Sequence, residues 1–285
     1  VGTNGGSFGF SISENNWLGK GTRLNFELDV DEESLGGTLN YTQPNYNFLG
    51  NSLNYYVSSE SNDKPDQGYE NAIYSAGVTT GFEQYKDIFV NLGLSTSFDD
   101  LRTQDSATDS LKKQSGEFLE FSGNYGFKYD TRNRSFMPTS GSITSFNQVL
   151  PIYADRSFID NSISISNYKS FSEESIVGSS KIFITAINGL NDDNVRLSKR
   201  KKLSSRRLRG FEKGKVGPLD GSDHIGGNYA AALNLDANLP KLLPDSSGAD
   251  LALFLDVGNV WGVDYDSTIN ESNEIRSSTG LALNW

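Results

Sequence analysis

The residues best equipped for chemistry stand together, in Ser204-Ser205-Arg206-Arg207-Leu208-Arg209-Gly210-Phe211, followed by Glu212-Lys213-Gly214-Lys215-Val216-Gly217-Pro218. A guanidinium stays charged at any relevant pH and presents a planar fork of donors to carboxylates. Arg209 is followed by a glycine, which frees the backbone to turn, and by a phenylalanine that can enter an apolar pocket. Upstream lies a second basic run, Lys199-Arg200-Lys201-Lys202, which continues through Arg206 and Arg207. The plain alternative is a basic, solvated surface loop. Other chemistry is thinly represented. There is no cysteine, and His224 is the only histidine. Thiolate catalysis, a histidine-based triad and a multi-histidine metal site are thereby disfavoured, and we expect neither enzyme activity nor a cofactor. The pairs Asp99-Asp100 and Asp192-Asp193 read as solubilising loop residues, with calcium a weaker option.

The elements that must position this stretch are strands. The chain has 285 residues and a formal charge of −11, which argues against bulk binding of nucleic acid. Only 35% of residues are hydrophobic, yet there are 17 Phe, 13 Tyr and 29 Gly. No run reaches the roughly 18 to 20 apolar residues of a membrane helix. Strict alternation appears instead. Leu24, Phe26, Leu28 and Val30 oppose Arg23, Asn25, Glu27 and Asp29. Ile88, Val90, Leu92 and Leu94 oppose Asn91, Gly93, Ser95 and Ser97. Leu119, Phe121, Tyr125, Phe127 and Tyr129 oppose Glu120, Ser122, Asn124, Lys128 and Asp130. About thirteen such segments recur, separated by turn residues.

The polar face discriminates between barrels in water and barrels in lipid. It is built of Ser, Asn, Thr and Gly with scattered charge, while the apolar face is aromatic-rich. That suits a lipid-facing exterior around a hydrated lumen, an all-β transmembrane antiparallel up-and-down barrel. Connections are unequal: Asn45 to Gly50 and Asn133 to Gly141 are short, whereas Glu60 to Glu70, Asp99 to Ser115 and Gly189 to Gly227 are long and polar. The Arg209 stretch lies in the longest of them.

Several stretches resemble one family. Tyr129-Asp130-Thr131-Arg132-Asn133-Arg134-Ser135-Phe136-Met137-Pro138-Thr139-Ser140-Gly141 and Asn15-Asn16-Trp17-Leu18-Gly19-Lys20-Gly21 resemble strand-turn-strand signatures of the BamA family, the bacterial surface antigen superfamily. Leu208-Arg209-Gly210-Phe211, with Gly217-Pro218 behind it, resembles that family's sixth-loop motif. Ile225-Gly226-Gly227-Asn228 and Asp256-Val257-Gly258-Asn259-Val260-Trp261 are similar to its next two strand entrances. The likeness spans essentially residues 1–285.

The resemblance implies a barrel of about sixteen strands whose sixth extracellular loop, here about 189–227, folds into the lumen. Its arginine then pairs with acids of the inner wall, at the matching positions Asp236 and Asp256. Parity agrees: Leu233, Leu235 and Ala237 face lipid, as do Leu251, Leu253, Leu255 and Val257, so both aspartates face inward, where a carboxylate costs least. For the basic run we expect a solvated face, with contacts to lipopolysaccharide phosphates or to the acidic inner wall as the alternative.

The resemblance also implies a function. It is that of a factor in the bacterial outer membrane that folds and inserts other β-barrel proteins. Its implied partners are unfolded outer-membrane protein clients, outer-membrane lipid and lipopolysaccharide, and accessory lipoproteins bound through POTRA repeats. Alternatives are a TamA-like factor for autotransporters, a two-partner secretion pore, or a passive porin-like channel. The family's first strand, its last two strands and the POTRA repeats are expected to lie outside this chain, as for a fragment of a longer protein.

Overall fold

The computed structural model describes residues 6–171, 176–239, 242–243 and 250–284. Val1 to Gly5, in the polar glycine-rich start, and Trp285 lie outside the described residues. The first strands are β1 (Phe8–Trp17), β2 (Thr22–Val30), β3 (Ser34–Gln43), β4 (Ser52–Lys64) and β5 (Tyr69–Tyr85). They continue as β6 (Ile88–Thr103), β7 (Gly116–Asp130), β8 (Ser140–Ala154), β9 (Phe158–Phe171) and β10 (Ile176–Gly189). After a long connection holding the two-residue strands β11 (Leu219–Asp220) and β12 (Asp223–His224) come β13 (Tyr229–Leu239), β14 (Asp250–Trp261) and β15 (Arg276–Asn284).

Thirteen of these form one antiparallel meander in the order β1 to β10, β13, β14, β15. The count matches the alternating segments of the sequence. β1 and β15 are the two edges and do not pair with each other, so the sheet stays open. Its inside and outside are inverted relative to a protein in water. Leu92, Leu94, Phe127, Tyr129, Leu253, Leu255 and Leu281 are exposed, whereas Asn71, Asp99, Glu120, Asn234, Asp236 and Asp256 are buried. This is the transmembrane barrel wall that the alternation predicted. No described helix is long and apolar enough to cross a membrane.

Two connections differ from expectation. Glu60 to Glu70 is mostly strand, because β4 and β5 pair from Ser52↔Gly81 out to Lys64↔Tyr69 and leave a turn of only four residues. Asp99 and Asp100 lie within β6, not in a loop, and Asp99 is almost fully buried. Asp192 does fall in a connection, but Asp193 accepts the Ser157 backbone N–H at 2.9 Å and so does structural work. All connections of more than ten described residues (104–115, 190–228, 262–275) lie on one rim. The opposite rim carries the turns 18–21, 44–51, 86–87 and 131–139. The last is held by Asn133 Oδ1, which accepts from the Thr139 and Ser140 amides. Gly141 closes it at φ 93°, where an added Cβ would stand 2.2 Å from the Thr131 carbonyl oxygen.

Long connections turn inward. Leu111, Leu197 and Ile225, from three parts of that rim, pack with Tyr69, Leu101 and Phe118 of β5, β6 and β7 into one buried cluster. Val263, Tyr265 and Ile269 lean on it. The mouth of the barrel therefore holds a dry core made of loop.

A candidate latch inside the lumen

The 190–228 connection descends along the inner wall, and its lowest point is the Arg209 stretch. Asp256 on β14 is fully buried and directly opposes Asn234 on β13. Arg209 meets this carboxylate with three donors: its backbone N–H to Oδ2 at 3.0 Å, Nε to Oδ2 at 2.6 Å and Nη2 to Oδ1 at 2.6 Å. Nη2 also reaches Asp236 Oδ1 at 2.7 Å, so one fork spans two carboxylates. Asn234 Nδ2 completes the Asp256 shell at 2.7 Å and donates to the Arg207 carbonyl at 3.0 Å. Lys181 Nζ and Ser179 Oγ approach Asp236 Oδ2 at 3.2 and 3.3 Å. The carboxylate hydrogen bonds, Asp256 first, hold the Arg209 guanidinium above its usual range. The pairs close a bidentate, charge-assisted network in which each charge faces an opposite one.

The neighbouring motif residues serve the same docking. Gly210 has φ 83°, the left-handed region that side-chain-bearing residues enter at a cost. Leu208 is buried with Leu203, Val216, Ala230, Ala232 and Val260, and Phe211 packs on the same cluster beside Phe183. Leu208, Arg209, Gly210 and Phe211 thus meet Asp236 and Asp256 in one place. Below it, a cavity of about 290 Å³ is lined by Arg209, Asp236, Lys181, Arg134, Tyr168 and Asp250, among others.

The basic run is not a solvated face. Arg196, almost fully buried, and Lys199 converge on Glu120 Oε2 at 3.1 and 3.0 Å. Arg200 is buried against Asp264 and Asn228, Lys201 pairs with Asp160, and Lys202 donates to Gln67. Ser198 Oγ donates to Asp99 Oδ2 at 2.6 Å, and Asn71 Nδ2 donates to Asp99 Oδ1 at 2.8 Å. Acids of the inner wall take up Lys199 and Lys201, while Arg200 and Lys202 are held by Asp264 and Gln67 in neighbouring connections. Their reading as solvated fails because the partners lie 28 to 135 residues away, beyond any local pattern. Arg206 is exposed.

Sequence reasoning missed two aromatic platforms. The Arg209 guanidinium lies 3.9 Å from the Phe254 ring centroid, and that of Arg207 lies 4.2 Å from the Phe183 centroid. Both phenylalanines face the lumen between lipid-facing neighbours. The runs Ile182-Phe183-Ile184 and Leu253-Phe254-Leu255 carry the signal, since they break the apolar-polar alternation. Gly280 on β15 makes room, since a Cβ there would meet the Phe254 ring at 3.0 Å. Among the described residues no cluster of three or more His, Cys, Asp or Glu could hold a metal ion.

Comparison with known proteins agrees with this architecture. Residues 16–285 match the model of the Omp85 superfamily domain. The chain is 27% identical to the outer membrane protein assembly factor BamA of Neorickettsia risticii, over 100% of this chain and 39% of that protein. It is 25% identical to the human sorting and assembly machinery component 50 homolog, over 93% of this chain and 58% of that one. In fold it is similar to a crystal structure of BamA from Haemophilus ducreyi lacking POTRA domains 1–3. The TM-score is 0.87 at 24% identity, covering 99% of this chain and 62% of the other. The chain therefore spans about two fifths and three fifths of the lengths of these two curated relatives.

Proposed function

The chain belongs to the Omp85 superfamily, and from that membership we propose that it is the membrane barrel of a factor that folds and inserts other outer-membrane β-barrel proteins. The observation that carries the reading is the inverted wall with the chain's own loop bound inside it. A passive pore has no use for a lumen filled by its own loop. No bond is made or broken in such a reaction. The client's own folding supplies the free energy, and the wall supplies a template and a lipid boundary.

The relatives include a bacterial BamA and a human sorting and assembly machinery component; we take the bacterial outer membrane, because the BamA match extends over the whole chain. On this reading the long connections face outward and the turns 18–21, 44–51, 86–87 and 131–139 face the periplasm. Arg209 acts as a latch that keeps the 190–228 connection seated against β13 and β14. Partners are unfolded barrel clients and, through parts of the protein beyond this chain, accessory subunits and POTRA repeats.

The test is depletion of the full-length protein in its own cell, followed by quantification of other barrel proteins in the outer membrane. A broad fall across unrelated barrels is expected. Loss of one exported protein with other barrels intact would replace this reading with a dedicated secretion role.

A further inference from the structure

Two carboxamides stand on the lipid-facing side of the wall, inside its apolar band. On β8 the outward residues run Phe146, Gln148, Leu150, and on β9 they run Ile159, Asn161, Ile163, Ile165. Gln148 and Asn161 are partners in the β8–β9 register, and Tyr125 of β7 opposes Gln148 from the other side. The Tyr125 hydroxyl donates to Gln148 Oε1 at 2.7 Å, and Gln148 Nε2 donates to Asn161 Oδ1. Their outward direction follows from their neighbours. The Tyr125 ring meets Phe127 and Phe146, and Phe127 is exposed. Asn147, by contrast, shares the lumen side with Gly126, whose added Cβ would stand 2.5 Å from Asn147 Oδ1.

This chain of hydrogen bonds ends unfinished. Asn161 Nδ2 carries two donor hydrogens and has no partner among the described residues. Other polar side chains on the same face do not share that fate. Thr80, Thr96 and Thr279 donate their hydroxyls to the strand carbonyls of Ser52, Glu120 and Phe254. In hydrocarbon an unmet donor is costly, and a polar side chain there marks a contact with something that answers it. Turning either amide end for end exchanges donor for acceptor and leaves the outer edge polar all the same. β8 and β9 are each paired on both sides, so no strand can add there and only side chains can make the contact. The surroundings are low. Ala186 of β10 opposes Asn161, and Gly123 of β7 opposes Leu150, both on the outward face. Small residues at such places let a second wall approach closely.

We propose that the outward face of β7, β8 and β9 is a contact between two copies of this chain in the membrane, in which each Asn161 Nδ2 donates to the Asn161 Oδ1 of the other. A carboxamide is donor and acceptor at once, and Oδ1 keeps a second lone pair beside the bond from Gln148. Two copies related by a two-fold axis through the patch therefore satisfy each other with a pair of equal bonds, the self-complementary arrangement of a symmetric dimer. Lipid tails offer neither donor nor acceptor. Tyr125 and Gln148 hold the Asn161 amide in place from one side, so little freedom is lost when the copies meet. A contact built on one amide pair and close wall packing is weak and depends on protein density in the membrane. The proposal rests on the membrane-spanning wall and not on the assembly role, which the levels of other barrel proteins test separately.

The chain has no cysteine, so a single introduced thiol reports on contact between copies. The full-length protein, free of other cysteines, carries Ile163→Cys beside the patch or Leu39→Cys on β3 as a remote control. It is reconstituted into phosphatidylcholine vesicles holding no other protein, at several protein-to-lipid ratios, and oxidised with copper phenanthroline. Disulfide-linked dimer should form at position 163, rise with protein density, and stay low at position 39. Asn161→Leu in the 163 background should lower the dimer yield about tenfold, the effect of losing two membrane hydrogen bonds. It should leave the heat-modifiable folded band intact, since leucine suits lipid, and Asn161→Gln should restore most of the yield. Monomer at every density overturns the proposal and assigns the free amide to lipid or to another membrane protein. Equal yields at 163 and 39, or a yield unmoved by Asn161→Leu, reduce the linkage to random collision and overturn it too. Failure of the unsubstituted protein to give a folded band in vesicles overturns the membrane-spanning reading, and the dimer with it.

Discussion

Arg209 and Asp256 decide most at the scale of single residues. Removing the guanidinium strands a fully buried carboxylate, a loss of about 3 kcal/mol or more for a pair of this kind. Arg209→Ala should therefore lower the urea midpoint of the folded barrel, as should Asp256→Asn. Because the two share one interaction, the double variant should fall short of the sum by roughly 0.5–3 kcal/mol. Strict additivity would mean that they do not act as a pair. Phe254→Leu keeps apolar volume but loses the ring face, and should cost about 0.5–2 kcal/mol in the same measurement. Lys202 supplies a pH dependence. Burial, followed by the cations Lys64, Lys213 and Arg200, pulls its ammonium from 10.5 to about 7. Between those pH values the undocked loop holds more protons than the docked one, so docking strengthens as pH rises from about 7 towards 10.5. Protease protection of the 190–228 connection should rise from pH 6.5 to 9, and Lys202→Met should flatten that rise.

Secondary-structure elements show where sequence reading succeeded and where it ran out. Alternation such as Leu251, Leu253 and Leu255 against Asp256 is a property of one strand, so lumen and lipid faces were legible residue by residue. Strand length was not. Glu60 to Lys64 and Asp99 to Thr103 are mostly polar because those parts of β4 and β6 run past the apolar band, and polarity alone made them look like loop. The partners of the basic run were also hidden, since Glu120 and Asp160 become its neighbours only when β7 and β9 curve around it. This predicts unequal consequences for similar charges. Glu120→Gln leaves buried Arg196 without its carboxylate and should destabilise the barrel by about 3–5 kcal/mol, read as a fall in the heat-modifiable folded band. Asp100→Asn, which breaks an exposed pair with Arg102, should change the same band by about 0–1 kcal/mol at most.

For the molecule as a whole, the loop core at one mouth closes what the strand count alone would leave open. Leu111, Val195, Leu197 and Ile225 have no exposed surface, so no continuous water path runs among them. In planar bilayers the intact protein should pass little current, and charge reversal at Asp160, paired with Lys201, should raise it. A large steady conductance in the intact protein would contradict a filled mouth.

The seated loop also dictates an order of events during the protein's own folding. Lys202 meets Gln67, which lies 135 residues earlier, and Arg209 meets Asp256, which lies 47 residues later. Contacts that close such long stretches of chain form late, after local hairpins have already paired. Lys199, Lys201 and Lys202 can dock as soon as β4 to β9 have curved, but Arg200 and Arg209 must wait for Asp264 and for β13 and β14 to pair. A chain cut short after the loop would hold its cork half inserted, tied at one wall only. Pairing of β13 with β14 therefore both extends the wall and signals that the loop can be tied down, because only then does the second tie become available.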